Sequence, residues 1–499
     1  MKKISIMIFG ALLASSVFGA ERPNILMIAI DDINDWVEPL GGHPQAKTPN
    51  LDKFVKEGAM VFPNAVCAAP ICGPSRSAVL SGFMPSTTGV YGNAHNMLFT
   101  EIVKTNATLP EYFSKHGYYT LSNGKLFHKH GIDGKYTDFG HWAWDEHARA
   151  REGVGNKPDN TKVTNGSGTI RGESKSEYKS EAKLSWGPTK DGFEGMVDYL
   201  VADWTREVLN RDYDKPFFIA SGIIKPHLPW YVPQEFFDLY DLDTLQTPEV
   251  REDDLNDILN PHGKLAFKPN KEYEWVKKHG LEKEATQAYL ASISFVDACL
   301  GVMFDALEKS KYADNTIVII WGDHGWHLGE KQRYLKNTTW NEAVKTPFLV
   351  KLPGMDKMIS CDRTVSLIDI YPTLVSLCGL PEKELDGLDF SDLLTDPKGE
   401  WERPGITVSV DGTSVMGERW HFAQQLDGTE EFYDLQSDPM EFTNLINHPE
   451  HAEKIAEMRK WVPEKRVKYV GERHKKPAKY VDAPAAPGIK ATRILSELK

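Results

Sequence analysis

Three uninterrupted apolar runs constrain the fold of this chain more than any other feature of its sequence. They cover residues 24–30, 216–220 and 316–321. Runs of this length are typical of strands that are buried on both faces of a parallel sheet. Amphipathic patterns of helical period lie between them, and the longest covers residues 283–310. This alternation predicts an α/β fold with a large mixed, mostly parallel sheet flanked by helices.

Ionisable residues follow the end of each apolar run. Because ligands of open α/β sheets bind at the carboxyl ends of the strands, we expect these side chains to share one site. The alternative is three unrelated polar turns, since most loops are polar. The residues concerned are Asp31 and Asp32 after the first run, His227 after the second, and Asp323 and His324 after the third.

The chain is long enough for two hydrophobic cores. Its 499 residues exceed what one core normally organises, so we expect a large and a smaller domain. We place an α/β domain at residues 21–380 and a smaller α+β domain with an extended tail at residues 381–499. In the smaller domain, Asp427-Gly428 between two apolar-rich segments predicts a hairpin, and a helical pattern follows at residues 449–462.

The first 20 residues have the layout of a secretory signal peptide, with two lysines, an apolar stretch and small residues at the end. We therefore expect an exported protein, either periplasmic or secreted. No later stretch approaches the roughly 20 apolar residues of a transmembrane helix, so we predict no membrane anchor. The five cysteines are too few for a disulfide framework, although Cys361 and Cys378 are candidates for pairing. Residues 133–190 are rich in Gly, Ser, Lys, Asp and Asn and predict a long surface excursion that shapes substrate access.

The charge of the chain limits what it binds. The formal net charge of -13 argues against nucleic acid as a partner, because nucleic acid requires a basic face. It also repels anionic substrates at long range. An anionic substrate would therefore have to be held by a local basic cluster.

One cysteine stands at the predicted start of a short helix, in Cys72-Gly73-Pro74-Ser75-Arg76. A helix N-terminus stabilises negative charge, so an anion or a thiolate is favoured at this position. A buried structural cysteine is the plain alternative. A thiol phosphatase would need a longer phosphate-binding loop between the cysteine and the arginine, so the spacing disfavours that class.

Together with Leu80-Ser81-Gly82, this segment resembles the signature of the formylglycine-dependent sulfatases. The resemblance implies an alkaline-phosphatase-like fold and a nucleophile made by oxidation of Cys72 to formylglycine. It also implies a partner in maturation, which is a formylglycine-generating enzyme or an anaerobic maturase.

The resemblance further implies a divalent metal. Carboxylate oxygens suit Ca²⁺, with Mg²⁺ as a possible substitute. Without the resemblance, adjacent aspartates would more simply be helix caps. Imidazole is a poor calcium ligand, so His324 has the alternative role of contacting sulfate. The implied ligands are Asp31, Asp32, the modified Cys72, Asp323 and His324.

The basic cluster that an acidic sulfatase needs is also present in the motifs that resemble the family. Arg76 and Lys125 are implied to hold the nucleophile and its sulfate, and Lys336 to bind another sulfate oxygen. His128 and His227 have side chains suited to proton transfer near neutral pH. Each residue alone would be read as a surface charge.

Within the family, two segments look like those of iduronate-2-sulfatases, at residues 225–229 and 322–330. This likeness implies a sulfated polysaccharide or oligosaccharide as substrate. Met416 stands where such enzymes often carry an arginine, and it cannot grip a uronate carboxylate. Two alternatives remain open: a phosphoester hydrolase of the same superfamily, which would carry Thr or Ser at the nucleophile, and a non-catalytic carbohydrate-binding relative.

Overall fold

The computed structural model describes residues 22–128, 143–148 and 184–470. The predicted signal peptide, most of the predicted surface excursion and the end of the tail lie outside the described residues. The strands are β1 (Asn24–Asp31), β2 (Met60–Val61), β3 (Tyr119–Gly124), β4 (Glu146–Ala148), β5 (Trp186–Pro188), β6 (Phe217–Pro226), β7 (Trp230–Val232), β8 (Thr316–Gly322), β9 (His327–Leu328), β10 (Tyr334–Leu335), β11 (Phe348–Lys351), β12 (Ile359–Ser360), β13 (Gly405–Val408), β14 (Gly412–Met416), β15 (Trp420–Gln425) and β16 (Glu430–Asp434). The helices are α1 (Pro49–Lys56), α2 (Cys72–Ser81), α3 (Pro85–Thr88), α4 (Glu101–Thr105), α5 (Leu109–Lys115), α6 (Val197–Leu209), α7 (Gln234–Phe237), α8 (Lys271–His279), α9 (Glu282–Lys309), α10 (Asn341–Val344), α11 (Ile370–Leu377) and α12 (Ala452–Arg459).

An eight-stranded sheet forms the centre of the molecule, in the order β12-β2-β11-β8-β1-β6-β3-β4. Strands β8, β1, β6, β3 and β4 are parallel, and β11 runs antiparallel to β8 and β2. The three apolar runs of the sequence become the adjacent strands β8, β1 and β6. The prediction of a mixed, mostly parallel sheet is confirmed. The adjacency of these strands also places their carboxyl ends side by side.

Side chains of β1 alternate between two hydrophobic cores, one on each face of the sheet. Leu26, Ile28 and Ile30 pack with residues of α1, α6 and α9. Ile25 and Met27 pack on the other face with residues of α5 and α11. All eight residues of β1 are buried, and each fully buried aliphatic side chain stabilises the fold by about 1.5–3 kcal/mol. This double burial explains why the run is apolar at successive positions.

Helix α9 is the longest helix among the described residues and confirms the helical pattern at residues 283–310. By length and composition it could cross a membrane, which the sequence did not lead us to expect of any later stretch. However, most of its apolar window is buried inside the protein against α6, β6 and β7. It therefore serves as a core helix of the α/β layer.

The C-terminal part contains the predicted small antiparallel sheet, in the order β13-β14-β15-β16. Phe422 of β15 and Phe432 of β16 pair across the hairpin and pack against Ile455 and Met458 of α12. The hairpin signal at Asp427-Gly428 is thus confirmed. The boundary placed between residues 380 and 381 stays a prediction.

All five cysteines are free and buried. The Cys361 thiol donates a hydrogen bond to the carbonyl of Pro397, 3.3 Å away. Cys378 lies at the end of α11, and burial raises the pKa of its thiol to about 12. The suggested pairing of these two cysteines is therefore wrong, because their thiols have different neighbours.

Candidate active site

The carboxyl ends of β1 and β8 bring three aspartates together. Asp31 ends β1, and Asp32 follows it in the left-handed backbone region with φ of 61°. Asp323 follows β8, and its carboxylate Oδ1 accepts a hydrogen bond from the backbone N–H of Asp32 at 3.0 Å. All three side chains are fully buried. A buried group of three carboxylates requires compensating positive charge.

Helix α2 presents Cys72 to this group as its first residue. Ile71 before it is extended, and Gly82 ends the helix with φ of 79° and an N–H bond to the carbonyl of Ala78. The N–H of Gly73 lies in the first turn, where the helix itself offers no acceptor, and it donates to Asn93 Oδ1 at 2.7 Å. The sequence therefore fixes both ends of the helix and places its first side chain at the site.

The sulfur of Cys72 lies among charged groups. Its Sγ is 3.1 Å from Lys336 Nζ, 3.4 Å from His324 Nε2 and 3.5 Å from Asp32 Oδ1. Burial raises the pKa of the thiol well above its ordinary value, and the negative charge of Asp31 adds to this effect. The unmodified thiol thus stays protonated near neutral pH and is a poor nucleophile.

Arg76, one turn further along α2, connects two of the aspartates. Its Nε donates to Asp323 Oδ2 at 2.7 Å, and its Nη2 lies 3.4 Å from Asp31 Oδ1. Its Nη1 donates to the backbone carbonyls of Lys125 and Leu126. The guanidinium therefore holds carboxylates and backbone in place, and its contact with the nucleophile and the sulfate stays a prediction.

Two lysines complete the charge balance. Lys125 Nζ forms an ion pair with Asp31, and Lys336 Nζ forms one with Asp32. Burial alone would raise the pKa of Asp31, but the positive charges of Lys125 and Arg76 hold it well below its usual range. Three buried carboxylates thus face three buried or nearly buried cations. With the three carboxylates and the three cations all ionised, their formal charges cancel.

The three predicted histidines surround the same point. His324 is buried, with Nε2 at 3.3 Å from Asp32 Oδ1, so it lies in the middle of the cluster. His227 Nε2 is 3.8 Å from Asp32 Oδ2, and a third of its side chain remains exposed. Burial lowers the pKa of His227 to about 4, so the ring is neutral at pH 7. His128 is buried beside Gly73, where an added Cβ would lie 3.5 Å from its Nδ1.

The donor groups of this cluster fit a hard divalent cation. One ligand atom from each of Asp31, Asp32, Cys72 and His227 lies within 4.8 Å of the others. Asp32 Oδ2 is buried, and the described residues give it no hydrogen-bond donor. Such an oxygen is costly unless a cation or water reaches it. Carboxylate oxygens are the ligands that Ca²⁺ and Mg²⁺ prefer.

Comparison with known proteins decides the family. Residues 23–380 match the family model described as Sulfatase, which is more than half of the chain. This chain belongs to the sulfatase family. It is a sulfuric ester hydrolase. Residues 322–468 of the sulfatase also match a model described as N-sulphoglucosamine sulphohydrolase, C-terminal.

Known relatives cover most of this sulfatase. A sulfatase of Formosa agariphila is 38% identical over 453 residues, which are 89% of this chain and 87% of the relative. Iduronate 2-sulfatase of Mus musculus is 28% identical and covers 72% of this chain and 69% of its own length. The solved structure of a phosphonate monoester hydrolase of Agrobacterium radiobacter has a TM-score of 0.66 at 18% identity, covering 88% and 94% of the two chains. The sulfatase therefore has the alkaline-phosphatase-like fold, as expected.

Several residues that support the site of this sulfatase carry no signal in the sequence. Tyr289 of α9 donates its hydroxyl to the carbonyl of Asp32 at 2.8 Å and accepts the N–H of Asn34. Asp198 of α6 is buried and accepts the N–H groups of Ile224 and Lys225 at 2.8 and 2.9 Å. Tyr289 lies in an apolar helical pattern, and Asp198 reads as an ordinary first-turn acid. Only the fold brings them under the strand ends.

Met416 of this sulfatase is a packing residue. Its side chain is buried with Val66 and Val344 in a small apolar core. It therefore acts in packing, and no arginine occupies this position to contact a substrate carboxylate.

Proposed function

We propose that the protein is an exported carbohydrate sulfatase that uses a formylglycine derived from Cys72 and a bound divalent cation. The observation that carries the proposal is the position of Cys72 Sγ, which lies within 3.5 Å of Lys336, His324 and Asp32. A structural cysteine would need apolar neighbours, whereas this one is surrounded by charges. A phosphoester hydrolase of the same superfamily would carry Thr or Ser here.

The cation would be held by Asp31, Asp32, Asp323 and the modified side chain at position 72, with His324 completing the shell. When bound, Ca²⁺ or Mg²⁺ supplies positive charge that activates an oxygen nucleophile and balances sulfate charge. Lys125 and Lys336 form ion pairs with Asp31 and Asp32. With those carboxylates on a cation, the two ammonium groups would be available to contact the nucleophile and the sulfate oxygens.

One hydroxyl of the hydrated formylglycine would attack sulfur and displace the alcohol, which leaves a sulfate ester on residue 72. Loss of the proton of the second hydroxyl would then expel sulfate and restore the aldehyde. The raised pKa of the Cys72 thiol supports this, because an unmodified thiol would be protonated and weakly nucleophilic at neutral pH. Maturation therefore requires an oxidising enzyme as a partner. Protein made without that enzyme would retain Cys72 and would be inactive.

Proton transfer falls to the two histidines at the rim of the cluster. His227 is partly exposed and faces Asp32 Oδ2, so it can reach the oxygen of a departing alcohol. Burial lowers the pKa of its ring to about 4, and the negative charge of a sulfate ester beside it would favour the protonated form that an acid requires. His128 is buried beside Gly73 at the start of α2, and in this proposal it takes the proton of the second hydroxyl of the hydrated formylglycine when sulfate is expelled.

A carbohydrate substrate is supported by the relatives. The Mus musculus relative is named iduronate 2-sulfatase, and the C-terminal match is to a sulphohydrolase of N-sulphoglucosamine. Met416 argues against an arginine grip on a uronate carboxylate at its position. We therefore place the substrate among sulfated polysaccharides or oligosaccharides, without a requirement for a uronate.

The test is to express the protein with and without a formylglycine-generating enzyme and to measure sulfate release from a panel of defined sulfated oligosaccharides. Mass analysis of the tryptic peptide that contains Cys72 should show loss of the thiol and gain of an aldehyde only in the first preparation. Cys72→Ala and Cys72→Ser should be inactive with intact folding. Full activity of either variant, or a preference for phosphate monoesters over sulfate esters, would exclude the proposal.

A further inference from the structure

The loop that carries Lys336 has an unusual backbone. Lys331, Gln332, Leu335 and Asn337 have φ values of 52°, 53°, 82° and 71°. Residues with a Cβ rarely adopt this left-handed region, and they remain there only where neighbouring contacts hold them. The position of Lys336 between Leu335 and Asn337 thus depends on what fixes the loop.

The buried side chain of Lys331 fixes one end of this loop. Its Nζ donates to Asp254 Oδ1 at 2.8 Å and to the backbone carbonyl of Glu441. The same ammonium lies 5.0 Å from the ring centre of Tyr433 on β16. The side chains of Lys331 and Asp254 are 1% and 0% exposed. One ammonium group therefore ties the loop both to the segment before α8 and to the C-terminal sheet.

Glu441 holds the other end of the same loop. It is itself in the left-handed region with φ of 59°. Its carboxylate accepts the N–H of Asn341, the first residue of α10, at 3.0 Å. Its other carboxylate oxygen forms a buried hydrogen bond with Nδ1 of His421 on β15. The carbonyl and the carboxylate of one C-terminal residue thus contact both sides of the Lys336 loop.

The tip of the loop contacts the nucleophile segment. The N–H of Asn337 donates to the carbonyl of Pro70 at 2.9 Å, two residues before Cys72. Lys336 Nζ lies 3.1 Å from Cys72 Sγ. Contacts therefore run without a gap from Glu441 through Lys331 and the strained loop to the reacting position.

We propose that Lys331 is a positioning residue that holds Lys336 in place for sulfate binding, and that it does so through Glu441 of the C-terminal region. The inference rests on the proposed function of Lys336. It gives the region after β16 a role in the active site, because the carbonyl that accepts from Lys331 belongs to Glu441 in that region. The competing explanation is that Lys331 only neutralises the buried carboxylate of Asp254.

Two variants separate these explanations. Lys331→Met removes both contacts and leaves Asp254 unpaired, whereas Lys331→Met with Asp254→Asn removes the contacts without an unpaired buried charge. If Lys331 positions the loop, kcat for 4-nitrophenyl sulfate falls about 10- to 100-fold in both, since displacements near 1 Å have effects of that size. If it only neutralises Asp254, the double variant regains activity to within about two-fold of the native enzyme, and the proposal is overturned. Should Lys331→Met fail to fold, the double variant alone carries the comparison.

A third comparison tests the connection to Lys336, using formylglycine-bearing, Ca²⁺-loaded enzyme throughout. In a Lys336→Ala background, adding Lys331→Met and Asp254→Asn should cause no further loss, because there is no ammonium left to position. Hydrogen exchange should become faster at residues 329–338 in the double variant. Independent losses, or unchanged exchange, would contradict the inference. Native activity of Lys336→Ala would instead refute the proposed role of Lys336 itself.

The matched control is Arg419→Met. The guanidinium of Arg419 donates to the carboxylate of Asp434, at the end of β16 in the same C-terminal sheet, at 2.9 and 2.7 Å. Unlike Lys331, the Arg419 side chain is exposed. This variant should keep native kcat and native exchange at residues 329–338. A loss as large as that of Lys331→Met would mean that any disturbance of the sheet lowers activity, which would overturn the specific role of Lys331.

Discussion

Replacing Arg76 by methionine tests the charge balance of the site most directly. The substitution keeps an unbranched apolar side chain but removes the guanidinium that bonds Asp323 and Asp31. It also leaves the carbonyls of Lys125 and Leu126 without this donor. The cluster then carries one uncompensated negative charge in a fully buried environment.

The size of the effect follows from that burial. Breaking a buried ion pair by removing one partner costs about 3–5 kcal/mol. The unfolding entropy of the roughly 360 residues matched as Sulfatase is about 0.75 kcal/mol per kelvin, from about 2.1 cal/mol/K per residue. The expected decrease in Tm is therefore about 4–7 °C. A divalent cation at 100 times its Kd would recover about 2.7 kcal/mol of this, or about 4 °C.

Thermal unfolding of native protein and Arg76→Met, with chelator and with increasing Ca²⁺ or Mg²⁺, measures both effects. The control is Arg459→Met, whose exposed pair with Glu430 is worth at most about 1 kcal/mol and should shift Tm by about 1 °C or less. If Arg76→Met unfolds at the native temperature in chelator, the guanidinium does not compensate the carboxylates and the reasoning fails.

Two further predictions concern proton transfer and pH. His227→Gln should lower kcat for a sugar sulfate by about 10²- to 10⁴-fold. It should lower kcat for 4-nitrophenyl sulfate far less, because the nitrophenolate leaves without taking up a proton. Equal losses on both substrates would rule out His227 as the acid. Burial raises the pKa of Asp198 to about 6, above that of an unfolded aspartate, so the native state retains its proton longer and loses stability as pH rises from about 4 to 6. The lost stability amounts to about 3 kcal/mol, and Asp198→Asn should not lose it. The Tm of this variant minus that of native protein should therefore increase from about pH 4 to 6 and stay constant above about pH 6. A Tm difference that does not change with pH would contradict the raised pKa of Asp198.

The parts of the fold that the sequence predicted well are those with a periodic or continuous apolar pattern. Strands β1, β6 and β8 were each visible as an apolar run, and the long helix α9 as a helical pattern. Local signals were less reliable where tertiary contacts compete. Thr48 stands directly before α1 and is of a residue type that commonly caps helices, yet its hydroxyl accepts the N–H of Glu38 and gives α1 no side-chain cap.

The sequence placed the candidate site residues but not what they touch. The aspartates, lysines and histidines of the motifs do converge around Cys72. The hydrogen bonds of Arg76 to carboxylates, and the roles of Tyr289, Asp198 and Lys331, depend on contacts between segments that are distant in the chain. The spacing of residues along the chain does not predict such contacts. They depend on the order of strands in the sheet and on the conformations of the loops.

The alternation of β1 side chains between two cores has a consequence for how this enzyme can change. Inserting or deleting one residue in β1 would send Leu26, Ile28 and Ile30 to the opposite core and turn the aspartates at the strand end to the wrong side. Divergence in the strands must therefore proceed by substitution at constant length. Insertions and deletions are confined to the connections beyond the strand ends. Such a chain can acquire new substrate preferences through loops of varying length while the reacting groups keep their spacing.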